Sequence, residues 1–113
     1  IGLSNQLQVN LSPQGVSFAG LDGTFHIQPS PPIALVQQGK AILATRPSEI
    51  DFVNEGGVTG VVKRRSYLGE VIDYNIVVGD QELRVQKGRR DPGPKEGESC
   101  QLVFTRLHWY PVE

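Results

Sequence analysis

Residues 57–86, GVTGVVKRRSYLGEVIDYNIVVGDQELRVQ, read as three strands in succession. The middle strand is the clearest. Ile72, Tyr74, Ile76 and Val78 share one parity, while Asp73 and Asn75 fall on the other. Successive side chains of a strand point to opposite faces, so this pattern gives one buried face and one wet face. Gly79-Asp80 follows as a two-residue connection of the kind tight hairpins need. The next strand alternates again, with Leu83 and Val85 inward and Glu82, Arg84 and Gln86 outward. On the near side, Tyr67-Leu68-Gly69 is expected to separate the basic run Lys63-Arg64-Arg65 from the middle strand, its glycine marking a bulge or bend. The stretch predicts a β-meander around which the rest of the chain closes.

Working outward toward the N-terminus, Leu7, Val9 and Leu11 alternate with Gln8 and Asn10, and this strand ends at Ser12-Pro13-Gln14-Gly15. Val16 and Phe18 keep the same period. Asp22-Gly23 is a hairpin signal, with Phe25 and Ile27 alternating after it. Gln28-Pro29-Ser30-Pro31-Pro32 predicts an exposed loop, because three prolines remove three donors and fix three φ angles. Lys40 to Thr45 reads as a strand buried on both faces, since Ala41, Ile42, Leu43 and Ala44 run unbroken. Arg46-Pro47 stops it, a short helical turn is expected over Ser48-Glu49-Ile50, and Phe52-Val53 resumes the strand pattern. No stretch sustains a helical period, so the prediction is all-β.

The turn at Asp22-Gly23 answers the turn at Gly79-Asp80, and Gly39 before a strand answers Gly97 before Ser99–Thr105, both at offsets of about 57 residues. This predicts one domain over 1–113, built from two related halves at roughly 1–51 and 52–113. A chain of 113 residues suits one domain that buries about two-thirds of its unfolded surface. Net charge is −1, which provides no global field toward nucleic acid or acidic lipid. A single cysteine, Cys100, excludes an internal disulfide and a cysteine metal cluster. No apolar run approaches the ~20 residues of a membrane helix. The chain has no methionine and opens at Ile1-Gly2, which predicts a piece of a longer protein.

Two segments resemble a known family. ALVQQGKAILATRPSEI, residues 34–50, resembles the glycine–strand–Arg-Pro-x-x-Ile signature of the TOBE domain, with Ser48 where Glu is usual and Glu49 one place later. Val58-Thr59-Gly60, Tyr67-Leu68-Gly69 and Tyr74 resemble that domain's second half. The same order is found in the C-terminal regulatory domain of ATP-binding subunits of bacterial import transporters of the ferric-iron, spermidine and maltose types. The resemblance covers nearly the whole chain and implies an oligonucleotide-binding-like β-barrel. It implies a non-catalytic regulatory and dimerisation domain, with ferric iron or a related small solute as cargo. It further implies an upstream ATPase domain outside this chain, membrane permease partners, and a cytoplasmic place on the inner face of the cell membrane. The interface or regulatory residues are then Arg46, Pro47, Glu49, Tyr67, Leu68 and Gly69. The chain has no G-x-x-x-x-G-K-[ST] loop to cradle phosphates, so ATP and magnesium are expected only in the missing domain. No cofactor, catalytic residue or metal site is expected here.

The remaining constellations have plain expectations. Lys63-Arg64-Arg65 and Lys87-Gly88-Arg89-Arg90 are expected as solvated strand ends that discourage edge pairing, with phosphate tracking as the alternative. His26 and His108 have no second ligand at metal spacing. His108-Trp109-Tyr110-Pro111 is expected to pack as a final strand, with a contact surface as the alternative. Pro47 drives Arg46 toward extended geometry, and the expectation is a strut pairing the guanidinium with a carboxylate or carbonyls across the two halves, with a partner or ligand contact as the alternative. An oxyanion sensor of the molybdate-binding kind, using the basic strand ends, and a single-strand nucleic-acid barrel are the alternative functions. No nucleic acid is expected as a partner.

Overall fold

The computed structural model describes residues 4–90 and 92–113. Its strands are β1 (Asn5–Ser12), β2 (Gly15–Ser17), β3 (Lys40–Thr45), β4 (Ile50–Val53), β5 (Val58–Leu68), β6 (Val71–Val78), β7 (Gln81–Gly88), β8 (Ser99–Phe104) and β9 (His108–Tyr110). A six-residue helix α1 (Ile33–Gln38) and a 3-10 turn at Pro47–Glu49 complete the elements. The strands form two sheets, β2-β1-β3-β9 and β4-β8-β5-β6-β7, with every pairing antiparallel. The all-β, oligonucleotide-binding-like barrel expected from the sequence is what forms.

The meander is the body of the larger sheet. Ile72, Tyr74, Ile76 and Val78 are fully buried, and Leu83 and Val85 extend the same face across β7. Leu7, Val9 and Leu11 of β1 and Leu43 of β3 supply the opposite wall. One core results, because the pleat turns every second residue of both sheets inward. Tyr74 is the largest of its buried side chains. Its hydroxyl oxygen accepts a hydrogen bond from the Gly93 amide at 2.7 Å, and its ring meets Phe52 edge-on at 4.9 Å. A buried phenol is thereby satisfied while the loop before β8 is tied down.

No backbone ladder joins β1 to β7. The seam between the sheets is closed there by side-chain amides. Asn5 Nδ2 donates to the Arg84 carbonyl at 2.7 Å, and Asn5 Oδ1 accepts from the Arg84 amide at 2.8 Å. Gln81 reciprocates toward Gln8, its Oε1 accepting from the Gln8 amide and its Nε2 donating to the Gln8 carbonyl, both at 2.8 Å. Each primary amide has one donor and one acceptor side, so Asn5 stands in for a missing strand residue on the β7 edge and Gln81 for one on the β1 edge. On the other side, the Thr45 hydroxyl donates to the Arg106 carbonyl at 2.7 Å. The Glu49 carbonyl accepts from both the amide and the hydroxyl of Thr105, at 2.7 and 2.8 Å.

Several expectations require correction. Tyr67 and Leu68 belong to β5, and the hairpin turn is Gly69-Glu70. The bulge lies at Lys63, where the β5–β6 register slips between Val62 and Arg64. Asp22-Gly23 makes no two-residue hairpin: Val16 and Phe25 form a single bridge around a wider loop. That loop is held from outside, since the Asp80 amide donates to the Ala19 carbonyl at 2.9 Å. A Cβ on Gly79 would lie 2.2 Å from that carbonyl oxygen, so glycine is required there by proximity as well as by its φ of +60°. Helix α1 was not foreseen. The division expected between Asp51 and Phe52 falls inside β4, which pairs with β8, while β9 from the chain's end joins β3 in the smaller sheet.

Candidate functional site

The outer face of the smaller sheet forms an open groove of about 780 Å³. Its floor follows from register. Gln8, Ile42 and Tyr110 stand opposite one another in one row across β1, β3 and β9, and Gln6, Ala44 and His108 in the next. Directly opposed residues of antiparallel strands share a face. Arg46 keeps extended backbone angles, φ −83° and ψ 151°, so the alternation runs one residue past the end of β3. Ser4, Arg46 and Arg106, just beyond the paired rows, also line the groove.

The three expected residues of this region lie together. Pro47 opens the 3-10 turn, Glu49 closes it, and Arg46 caps it. The Glu49 amide donates to the Arg46 carbonyl at 2.9 Å, and the Glu49 carboxylate accepts from the Arg46 amide at 3.1 Å. This reciprocal cap binds the backbone of Arg46 and leaves its side chain out. The expected strut is absent: the guanidinium is exposed and has no hydrogen bond or ion pair with the described residues. Pro47 fixed the backbone direction, but the outward parity at residue 46 turned the side chain to solvent. The barrel is fastened in that region by Lys87 instead, whose Nζ donates to the Ile50 carbonyl at 3.1 Å and pairs with Asp51.

Tyr67, Leu68 and Gly69 lie apart from this groove, at the tip of the β5–β6 hairpin. Tyr67 and Leu68 are each 54 % exposed. The Arg65 guanidinium carbon sits 5.5 Å from the centre of the Tyr67 ring, and Arg65 Nη1 donates to the carbonyls of Gly93 and Pro94 at 3.3 and 3.2 Å. The ring therefore rests on a cation already engaged with the loop before β8.

Half of the cations in the basic runs are occupied. Lys63 pairs with Glu82, Arg65 holds the loop carbonyls and Lys87 holds Asp51. Arg89 and Arg90 are exposed at the turn after β7. Trp109 packs against the core and donates from Nε1 to the Pro29 carbonyl at 2.8 Å, as a final strand should. His108 and Tyr110, on the opposite parity, face the groove, so the same short strand supplies both packing and surface. Burial pushes the Cys100 thiol up to about 11, holding it neutral near pH 7 and unsuited to nucleophilic work. Among the described residues, no three of His, Cys, Asp or Glu gather as a metal site.

Arg106 and Tyr110 were missed in the sequence as partners of Arg46. Their only sequence signal is that 42 with 110 and 44 with 108 share one antiparallel register, which nothing local reveals. A family model described as the TOBE domain matches residues 43–111, more than half of the chain. No curated protein matches the chain.

Proposed function

The chain belongs to the TOBE domain family, and from that premise we propose that it is the regulatory domain of the ATP-binding subunit of a bacterial ABC importer. The TOBE domain is a non-catalytic domain type, supporting a regulatory or small-ligand-binding role in transporter-type proteins. Ferric iron or a related small solute is the cargo in this reading. The domain pairs with a second copy about a two-fold axis, and its subunit docks on membrane permeases at the inner face of the cell membrane. The observation that supports the reading is the family match, which spans the Arg46–Glu49 turn, the whole meander and the closing strand β9.

Two measurements test it. Calorimetric titration of the chain with ATP should give no heat of binding at micromolar nucleotide, as expected of a sequence without a phosphate-cradling glycine loop. Micromolar affinity would return nucleotide chemistry to this domain. The second compares the intact ATP-binding subunit with one lacking this domain. Basal hydrolysis should persist in both, and its response to regulatory inputs should disappear with the domain. Loss of basal hydrolysis together with binding of ATP to the excised chain would overturn the reading.

A further inference from the structure

We propose that the groove on the smaller sheet binds a small organic anion, its phosphate or carboxylate held by Arg46 and Arg106 and its flat body laid on Ile42 and Tyr110. The inference goes beyond the regulatory reading by naming a site and a ligand class, and it depends on no particular cargo.

Arg46 and Arg106 both line the groove, and neither side chain has a carboxylate partner among the described residues. A guanidinium presents planar paired donors suited to two oxygens of one acidic group. Lys63, Arg84 and Lys87, by contrast, are each answered by a carboxylate.

The next rows supply the rest of a site. His108 stands two residues from Arg106, opposite Ala44, which is two residues from Arg46, with Gln6 beyond. Ile42 and the half-exposed Tyr110 ring follow, giving an apolar floor about two rows from the cations. That spacing fits a ligand with an acidic group at one end and an unsaturated ring at the other. Glu49 and Glu113 also line the groove, so the arginine charges are balanced overall. Recognition then rests on direct hydrogen bonds and stacking rather than on long-range field, and affinity should be modest.

The test is titration of the protein at low salt, followed by backbone amide shifts, with phenyl phosphate, benzoate and inorganic phosphate as probes. Phenyl phosphate or benzoate should saturate shifts at residues 42–46 and 106–110, the stronger of the two identifying the headgroup. Phenyl phosphate should bind about threefold or more tighter than inorganic phosphate, reflecting the ring's contact with Tyr110. Arg46→Gln and Arg106→Gln should each weaken binding about tenfold, as loss of a charge-assisted bond does. Tyr110→Ala should erase the preference for phenyl phosphate over inorganic phosphate. Arg89→Gln, at an exposed turn elsewhere, should change nothing. Absence of saturable binding at about 20 mM of every probe would overturn the proposal, as would an Arg89→Gln effect equal to that of Arg46→Gln. Either failure leaves the comparison of ATPase subunits with and without the domain untouched.

Discussion

On the outer face of the larger sheet, Arg84 makes three contacts to the Asp73 carboxylate at 2.8 to 3.2 Å, and Lys63 meets Glu82. On the outer face of the smaller sheet, Arg46 and Arg106 line one groove with no such partner among the described residues. The difference follows from how each face is assembled. β5, β6 and β7 are neighbours in sequence, joined by two-residue turns, so their charged residues meet in a register fixed by short loops. A row of the smaller sheet takes one residue from near the start of the chain, one from the middle and one from near the end. The face built locally answers Lys63 and Arg84 with carboxylates and leaves Arg64 exposed, while the face built from distant segments answers neither Arg46 nor Arg106 among the described residues.

The contrast can be broken most severely in the core behind the two faces. Ile76→Ala empties a fully buried site in the middle strand and should cost about 2–5 kcal/mol in urea melts. Ile42→Ala, on the partly buried outer face of β3, should cost less, about 1–2 kcal/mol. Equal losses would mean that Ile42 is a core residue and the groove floor is not a surface. A smaller effect is expected at the seam. Lys87→Ala leaves the Ile50 carbonyl without its donor and Asp51 without its cation, costing about 1–2 kcal/mol. An unmoved midpoint would show that Thr45, Thr105 and the amide bridges close the barrel without it.

The finest comparison sets arginine against arginine. Arg84→Ala removes a forked contact to an Asp73 that is mostly buried, and should cost about 1 kcal/mol, less in high salt. Arg46→Ala and Arg106→Ala should each leave stability within about 0.5 kcal/mol, as exposed substitutions usually do. Losses above about 1 kcal/mol at Arg46 would restore the strut and remove the site.

Residue pattern alone revealed the meander because a strand's burial period is two and its turns are written in glycine. The 3-10 turn at Pro47–Glu49 was legible for a similar reason, as proline fixes φ at its first position. Helix α1 escaped detection because IALVQQ is under two turns long, has no side-chain cap and buries only Leu35. Gly39, at φ +79° and donating to the Leu35 and Val36 carbonyls, was its one readable end signal. Asp22-Gly23 looked like a hairpin, yet contact with the Gly79-Asp80 turn decided that loop's course.

The sequence by itself determined which residues alternate, where most strands stop and which side chains form the core, because those properties depend on neighbours within a few positions. Only the tertiary structure decided that β9 lies beside β3, that Asn5 and Gln81 close the seam, and that Arg46 faces outward into one groove with Arg106. Those outcomes depend on pairing between segments more than 60 residues apart. Register there is set by burying the far face of each strand in a shared core, and no local pattern carries that information.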